Sequence, residues 1–395
     1  MNPYRMAPPP GAWDSKLSPL LVRLGRRVRN RLRVKNQQLR DVHVRGVENI
    51  AGPHKEGCGV LITPNHSSHA DPFTMYSAAD EVGVPLQFMA TWHVFTSRSK
   101  IGQWFLQKHG VFSVDREGTD LRAFKMAVGT LQAAKSPLVI FPEGEVYHCN
   151  DKTTPFREGP ATIALAAARR SKRKTVVVPC AVKYRYLEDP TDRLLRIMSK
   201  LEQQIHWRPK TEKPLADRVY AFGQAMVSLK ELEFLGEPAT GPLPERIQRL
   251  ADAVLSRLED KHGAAAEGSS VPERVKHIRR GVLEKLTAEG ISDDQRTELN
   301  RDLDNVFLVV QLFSYPGDYV AQAPTIERLA ETIDKFEEDV LHLPTASIKA
   351  DREATVMFDK PIEVVAQKSR TAARELTAQV ETRVQAMLDE LGPGP

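Results

Sequence analysis

Residues 59–72, GVLITPNHSSHADP, decide the fold that the sequence predicts. Gly59 to Thr63 is a short apolar run typical of a buried strand, and Pro64 ends it. A residue before proline avoids helical geometry, and an Asp-Pro pair suits the N-cap and first position of a helix. The stretch therefore predicts a strand, a loop that carries His66, and a helix that opens at Asp71.

Strands and helices alternate around this stretch. Apolar patterns predict strands at 41–47, 86–90, 110–114, 138–141 and 175–182, and helices at 72–80, 97–109, 120–134 and 160–170. Residues 48–57 have the composition of a turn, and Ile101, Trp104 and Phe105 are expected to point inward. The alternation favours an α/β fold with a mixed, largely parallel sheet flanked by helices, and with its chemistry at the carboxyl ends of the strands.

The sequence changes character near Asp192. Helical spacing then continues, broken at 315–317 and at a link from 263 to 270, before a strand pattern at 355–364 and a final helix pattern. We predict four segments: a basic N-terminal segment at 1–36, an α/β domain at 37–191, an all-helical insertion at 192–348, and a closing strand and helix at 349–395. The alternative to an insertion is an independent C-terminal domain.

The composition is that of a folded globular protein, with 41% hydrophobic and 27% charged residues among 395. Its three cysteines, Cys58, Cys149 and Cys180, lack C-x-x-C spacing, which argues against a disulfide framework or a cysteine zinc site and predicts a reduced, cytosolic setting. No apolar stretch is long enough to cross a bilayer, and no leader peptide is recognisable. We expect a cytoplasmic protein that neither spans a membrane nor is exported.

Positive charge is concentrated near the N-terminus. From Ser15 to Arg40 there is no acidic residue, and eight basic residues lie between Lys16 and Lys35. Apolar residues recur there at steps of three and four: Leu17, Leu21, Leu24, Val28 and Leu32. This predicts an amphipathic helix on the inner face of an anionic membrane, where each basic residue contributes about 1 kcal/mol. The predicted membrane contacts are Lys16, Arg23, Arg26 and Arg27. A helix packed through its leucines on the same chain fits equally well, whereas nothing favours nucleic-acid binding.

His66 and Asp71 suit proton transfer. On a continuous helix, side chains five residues apart point about 140° away from each other, but a loop allows them to pair. A carboxylate on one imidazole nitrogen leaves the other as a base for a hydroxyl proton, a role worth roughly 10²–10⁴ in rate. Taken alone, the pair also fits a helix cap and a hydrogen-bonded loop histidine.

Three further blocks lie at strand-to-loop transitions: GVFSVDR at 110–116, FPEG at 141–144 and VVPCAV at 177–182. With NHSSHAD at 65–71, and in this order, they resemble the glycerolipid acyltransferase family, whose best-known members are 1-acylglycerol-3-phosphate (lysophosphatidate) acyltransferases. The resemblance covers roughly Val42 to Val182. The later run FDKPI at 358–362 is similar to the family's closing strand and favours the insertion.

The resemblance implies an O-acyltransferase that moves a fatty acyl group from a thioester, acyl-CoA or acyl carrier protein, to a hydroxyl of lysophosphatidate or a related glycerolipid precursor. The roles it implies are these: His66 is the general base, Asp71 orients it, Arg116 binds the acceptor's phosphate, Glu143 and Gly144 shape the acceptor site, Pro179 lines the acyl pocket, and Asn65 and Gly110 are further substrate contacts. It implies no cofactor and no metal.

The sequence departs from the family pattern at two places. Glu145 stands where the family usually has Thr or Ser, and Thr91 and Trp92 stand where many members carry a lysine. Both changes remove groups that favour an anionic acceptor. The acceptor is therefore open, with glycerol 3-phosphate and other lysolipids as alternatives to lysophosphatidate.

Two other classes of protein compete with this interpretation. His66 and His69, with Asp71 nearby, suit a metallohydrolase site that Asp115, Glu143 or His148 would complete. The other competitor is a non-catalytic membrane adaptor whose helical insertion recruits a partner. Neither explains the remaining blocks.

Overall fold

The structure is a computed structural model that describes residues 9–116, 120–263, 270–366, 369 and 371–392. Its strands are β1 (Leu39–Arg45), β2 (Gly59–Pro64), β3 (Gln87–Thr91), β4 (Val111–Val114), β5 (Leu138–Val139), β6 (Thr175–Tyr186), β7 (Arg352–Phe358) and β8 (Ile362–Glu363). Its helices are α1 (Pro19–Gln37), α2 (Glu48–Lys55), α3 (Asp71–Val82), α4 (His93–Thr96), α5 (Lys100–Lys108), α6 (Leu121–Ala133), α7 (Gly159–Arg170), α8 (Thr191–Gln204), α9 (Leu215–Leu235), α10 (Leu243–His262), α11 (Val271–Leu286), α12 (Asp293–Ser314), α13 (Tyr319–Gln322), α14 (Ile326–Val340) and α15 (Ala372–Leu391).

The chain divides into two compact units. One comprises Gly11–Pro190 and Ile348–Pro395 and contains the sheet, and the other contains the helices of Thr191–Ser347. These junctions lie one residue from the predicted boundaries, while the chain from Gly11 onward, including α1, belongs to the α/β unit. Most of the predicted link at 263–270 lies outside the described residues.

The sheet has the strand order β1-β7-β6-β2-β5-β3-β4, with β8 paired to β6. The run from β6 to β4 is parallel, as is the pair of β1 and β7, whereas β6 is antiparallel to β7 and β8. The prediction of a mixed, largely parallel sheet is confirmed. The predicted strand at 355–364 is divided into β7 and β8.

The helical unit is inserted into a hairpin connection. β6 and β7 are antiparallel neighbours in which Tyr186 faces Arg352, and the Leu187 N–H donates to the Asp351 carbonyl at 2.9 Å. The two chain ends that lead into and out of the insertion are therefore held together within the α/β unit. β7 also lies between β1 and β6, so the end of the chain completes the sheet.

Both faces of the sheet are covered, as a parallel sheet requires. The first ten residues of β6 are buried, and they alternate between two apolar clusters. Val178, Cys180 and Val182 belong to the cluster that includes residues of α3, and Val177 and Ala181 to the cluster that includes residues of α6, α7 and α15. β6 is therefore the central strand on which the site residues pack.

Two local predictions are wrong. Residues 48–55 form helix α2 rather than a turn, because the fully buried Ile50 ties the segment to the core and packing outweighs the breaking tendency of Pro53. Helix α5 does not point its apolar residues inward: Ile101 is 80% exposed, Trp104 47% and Phe105 39%. The prediction failed because helical periodicity identifies an apolar face of a helix but does not show whether that face packs on the core.

Arginine–glutamate pairs recur through the helical unit. Arg218, Arg246 and Arg274 are spaced at 28 residues, and each donates through Nε and Nη2 to both oxygens of a glutamate on the preceding helix. The partners are Glu202, Glu231 and Glu259, and in the first two pairs Ser199 and Ser228 also accept from the arginine. Such forked pairs fix geometry as well as charge. The unit thus contains a helical repeat that apolar patterning does not reveal, because its signal lies in charged residues.

Candidate active site and apolar surface

His66 lies on the loop between β2 and α3, and its ring is held by Asp71. Nδ1 of His66 is 2.7 Å from Oδ2 of Asp71, which also accepts the Ser68 N–H at 3.1 Å. The helix opens at Asp71 with Ala70 as the N-cap, so this carboxylate is directed to the loop instead of capping the helix. Asp71 is fully buried while the His66 side chain is 17% exposed. The other ring nitrogen, Nε2, is thereby left for proton transfer.

Tyr184 supports Asp71 from β6. Its hydroxyl donates to Oδ1 of Asp71 at 2.6 Å and lies 2.8 Å from Oγ1 of Thr74. Burial, together with the charge of Asp71, holds the pKa of Tyr184 well above its usual value, so the phenol stays a donor. Sequence analysis missed this residue. The available signal was the alternation of β6, which puts Tyr184 on the same face as Cys180 and Val182.

Glu143 fixes the backbone of the His66 loop. Its Oε1 accepts the His66 N–H at 2.8 Å, and its Oε2 accepts the Thr154 N–H at 3.3 Å and the Thr154 hydroxyl. Burial raises the pKa of Glu143 to about 7, against the opposing effect of these hydrogen bonds. The His66 ring also stacks on Phe141, with centroids 4.1 Å apart. Glu143 therefore positions His66, and both of its oxygens are used within the protein.

Asn65 extends the sheet beyond the end of β2. Pro64 pairs with Cys180, and past that point the Asn65 amide accepts the Val182 N–H at 2.7 Å and donates to its carbonyl at 3.0 Å. Asn150 does the same for Tyr184, at 2.8 and 2.7 Å. The prediction that Asn65 contacts substrate does not fit this geometry, because its amide is buried and bonded to β6. It is a positioning residue.

Arg116 follows β4 and reaches the FPEG block. Its Nη1 donates to the Gly144 carbonyl, and its Nη2 lies 3.2 Å from Oε1 of Glu145. Gly144 has a φ of +84°, and a Cβ there would lie 2.8 Å from Nε of Arg157. Two guanidinium groups therefore flank Gly144.

Gly110 and Pro179 lie at different ends of the strands. Gly110 precedes β4, with a φ of +86° and only 2.6 Å between a built Cβ and the Leu86 carbonyl oxygen. The turn requires glycine there, and the residue lies at the amino end of a strand whose carboxyl end leads to Arg116. Its predicted contact with substrate stays a prediction. Pro179 is buried in β6 opposite Thr63, close to the carboxyl end of β2.

His66, Arg116 and Glu143 follow the carboxyl ends of β2, β4 and β5, at one edge of the parallel sheet. The metallohydrolase alternative would require His66 and His69 to share an ion. His69 is exposed, and its ring lies edge-on to that of His148 at 5.6 Å. Among the described residues, the groups of three or more potential ligands that converge within 4.8 Å do not include His66. The geometry of His66 favours proton transfer.

Helices α1 and α5 both carry exposed apolar residues, which are together called the apolar surface below. Along α1, Val22 and Arg29 are buried against the α/β unit, while Leu20, Leu24, Val28 and Leu32 are 65%, 67%, 51% and 38% exposed. The chain entering α1 joins the end of α5, since the N–H groups of Lys16 and Ser18 donate to the carbonyls of Gln107 and Lys108, both at 2.9 Å. On α5, Ile101, Trp104 and Phe105 are exposed as well.

Not all the basic residues of α1 face solvent. Arg29 donates to Asp80 at 3.0 Å from a buried position, and Arg26 lies 3.4 Å from Asp80 and 3.6 Å from Glu81. The Arg26 side chain is nevertheless half-exposed, so its predicted membrane contact stays a prediction. Arg23 and Arg27 are exposed.

Residues 41–183 match the family model described as Acyltransferase. This segment is similar to that family. A 1-acyl-sn-glycerol-3-phosphate acyltransferase of Streptococcus pneumoniae is 32% identical over 133 residues, which are 33% of this chain and 46% of that protein. The crystal structure of the 1-acyl-sn-glycerophosphate (LPA) acyltransferase PlsC from Thermotoga maritima matches 41% of this chain and 56% of its own, with 21% identity and a TM-score of 0.27. The matched part of the chain thus spans about half the length of these relatives.

The matched segment includes the site residues from Asn65 to Pro179, and Tyr184 lies one residue past its limit, on β6. The helical unit lies outside the match. No helix among the described residues combines the length and the apolar character needed to span a bilayer.

Proposed function

We propose that this protein is an O-acyltransferase that moves a fatty acyl group from a thioester to a hydroxyl of lysophosphatidate or a related glycerolipid precursor. The observation that carries the proposal is the 2.7 Å contact between Nδ1 of His66 and Asp71, at the carboxyl edge of a sheet within the segment that matches the Acyltransferase family model. Glycerol 3-phosphate and other lysolipids are alternative acceptors of the same chemistry.

His66 acts as general base in this reaction. The acceptor hydroxyl attacks the thioester carbonyl carbon as Nε2 of His66 takes the hydroxyl proton, and a new C–O bond forms. The tetrahedral intermediate then breaks its C–S bond, and the imidazolium returns the proton to the departing thiolate. Asp71 holds the tautomer and stabilises the imidazolium. No acyl-enzyme is required, because the base acts directly on the acceptor.

The substrates occupy the two sides of this base. Arg116 provides a planar, permanently charged guanidinium for an acceptor phosphate. Pro179 lines the pocket for the acyl chain. The donor is acyl-CoA or acyl carrier protein, with no cofactor. The apolar surface of α1 and α5 seats the enzyme on the inner face of an anionic membrane, with Lys16, Arg23 and Arg27 toward the lipid phosphates.

An acceptor screen tests the proposal. Purified protein is incubated with acyl-CoA or acyl carrier protein and with lysophosphatidate, glycerol 3-phosphate or lysophosphatidylcholine, and thiol release and ester formation are followed together. We expect equal amounts of thiol and ester with at least one acceptor. Thiol release without ester would identify a thioesterase, and no reaction with any pair would remove the proposal.

A further inference from the structure

Glu145 contacts Arg116, the residue that the proposed function assigns to the acceptor's phosphate. Its Oε1 lies 3.2 Å from Nη2 of Arg116, with the two side chains 22% and 23% exposed. A carboxylate on a guanidinium uses the same N–H donors as a phosphate would. The position of Glu145, directly after the Phe141–Gly144 block, is one of the two places where the sequence departs from the family pattern.

The charge of Glu145 also acts on Tyr147, which interacts with Arg157. Burial raises the pKa of Tyr147 to about 12, and the charge of Glu145 adds to that shift while the charge and hydrogen bond of Arg157 oppose it. Arg157 also lies against Gly144, next to the carbonyl that Arg116 binds. Glu145 therefore pairs with Arg116 while Arg157 lies next to Gly144, and the three side chains together carry one net positive charge.

This arrangement weakens the binding of a doubly charged ligand. A phosphate monoester that binds Arg116 must displace Glu145 or lie beside it, and like charges at such distances repel one another. An acceptor whose phosphate is a singly charged diester meets less repulsion. Partial burial reduces screening by solvent, so the difference is larger than at a fully exposed pair.

We propose that Glu145 is a specificity-determining residue that competes with the acceptor's phosphate for Arg116 and so disfavours phosphate monoesters relative to phosphodiester lysolipids. The inference rests on the proposed function, because it concerns the acceptor site of that reaction. It assigns the headgroup class, which the family resemblance leaves open.

The test combines binding and turnover. Calorimetry measures the binding of glycerol 3-phosphate to wild type, Glu145→Gln, Arg116→Gln and the double variant, and acyl transfer to lysophosphatidate and lysophosphatidylcholine is measured for each. Glu56→Gln is the matched control, since it makes the same charge change near the amino end of β2, away from the site.

We expect Glu145→Gln to tighten glycerol 3-phosphate binding and to lower the KM for lysophosphatidate about fivefold, with the KM for lysophosphatidylcholine changed less than about twofold. The gain should disappear in the Arg116→Gln background. A gain that persists there, an equal change for both lysolipids, or weaker phosphate binding would overturn the proposal. If binding shifts as expected but wild type transfers no acyl group, the proposed function fails and the competition stands.

Discussion

At the scale of single residues, the proposed base His66 lies close in sequence to its partner Asp71, whereas the residues that orient the pair are distant in sequence. His66 and Asp71 could be predicted because they are only five positions apart in the sequence, across a loop. Tyr184 and Thr154 could not, since only the register of β6 and the course of the loop after β5 bring them to Asp71 and Glu143. Motifs reveal groups that are close in sequence, whereas the residues that orient those groups depend on the completed sheet.

Tyr184 tests this distinction. Tyr184→Phe removes the donor to Oδ1 of Asp71 and leaves the contact with His66, so the carboxylate is less firmly oriented. We expect kcat to fall roughly tenfold with the KM for the acceptor unchanged, in line with the effect of partners that orient a functional group. Tyr186→Phe, on the same strand, is the control. A change confined to KM would contradict the assigned role.

Glu143 makes the free energy of unfolding depend on pH. Its pKa is raised from 4.5 to about 7, so the fold binds the proton more tightly than the unfolded chain and the contribution of the carboxyl is fully present below pH 4.5. It is lost as the pH rises through about 7. Relative to Glu143→Gln, wild type should lose up to about 3 kcal/mol of unfolding free energy across this window. Urea unfolding at several pH values measures the difference, and a constant difference would show that Glu143 is not perturbed.

At the scale of elements, apolar periodicity predicted the strands and most helices. It did not show which side of α5 faces the core, so the exposure of Ile101, Trp104 and Phe105 was not predicted, and it missed α2. It also predicted an amphipathic α1 without showing that the helix packs through Val22 and Arg29 and keeps its leucines outside. The alternative in which α1 packs on the same chain through its apolar stripe does not fit Leu24, Val28 and Leu32, which are exposed.

The exposed face of α5 leads to a prediction about membranes. Ile101→Ser combined with Trp104→Ser removes apolar area that is already in solvent, so the fold should be unaffected while the affinity for anionic liposomes falls about tenfold or more. Leu187→Ser combined with Val365→Ser changes equally exposed apolar residues elsewhere in the same unit. Sedimentation over a salt series measures binding. Equal losses in the two double variants would contradict a specific surface on α1 and α5.

At the scale of the whole molecule, the helical unit interrupts a hairpin. The sequence indicated an insertion through the run at 358–362, but it did not show that β7 lies between β1 and β6 or that α15 binds the active-site loop. Gln385 on α15 accepts the Thr153 N–H at 2.9 Å, and Glu381 accepts the Phe156 N–H at 2.9 Å. The end of the chain therefore supports the loop that holds Glu143.

Removal of the insertion tests this organisation. Leu187 and Asp351 are hydrogen-bonded, so a short Gly-Ser linker from Pro190 to Ile348 should close the hairpin without strain. We expect the shortened chain to unfold cooperatively, while truncation after Ser347, which removes β7 and α15, should abolish folding. Thermal unfolding followed by circular dichroism compares the two. A shortened chain that fails to fold would show that the α/β unit depends on the helices.

The central claim is that His66 is the base for acyl transfer, and single-turnover acylation of the best acceptor tests it most directly. We predict that His66→Ala lowers the rate roughly 10²–10⁴-fold with liposome binding and the thermal transition retained, whereas His69→Ala keeps most of the rate. Transfer by His66→Ala at the wild-type rate, or equal loss in His69→Ala with inhibition by chelators, would contradict the account.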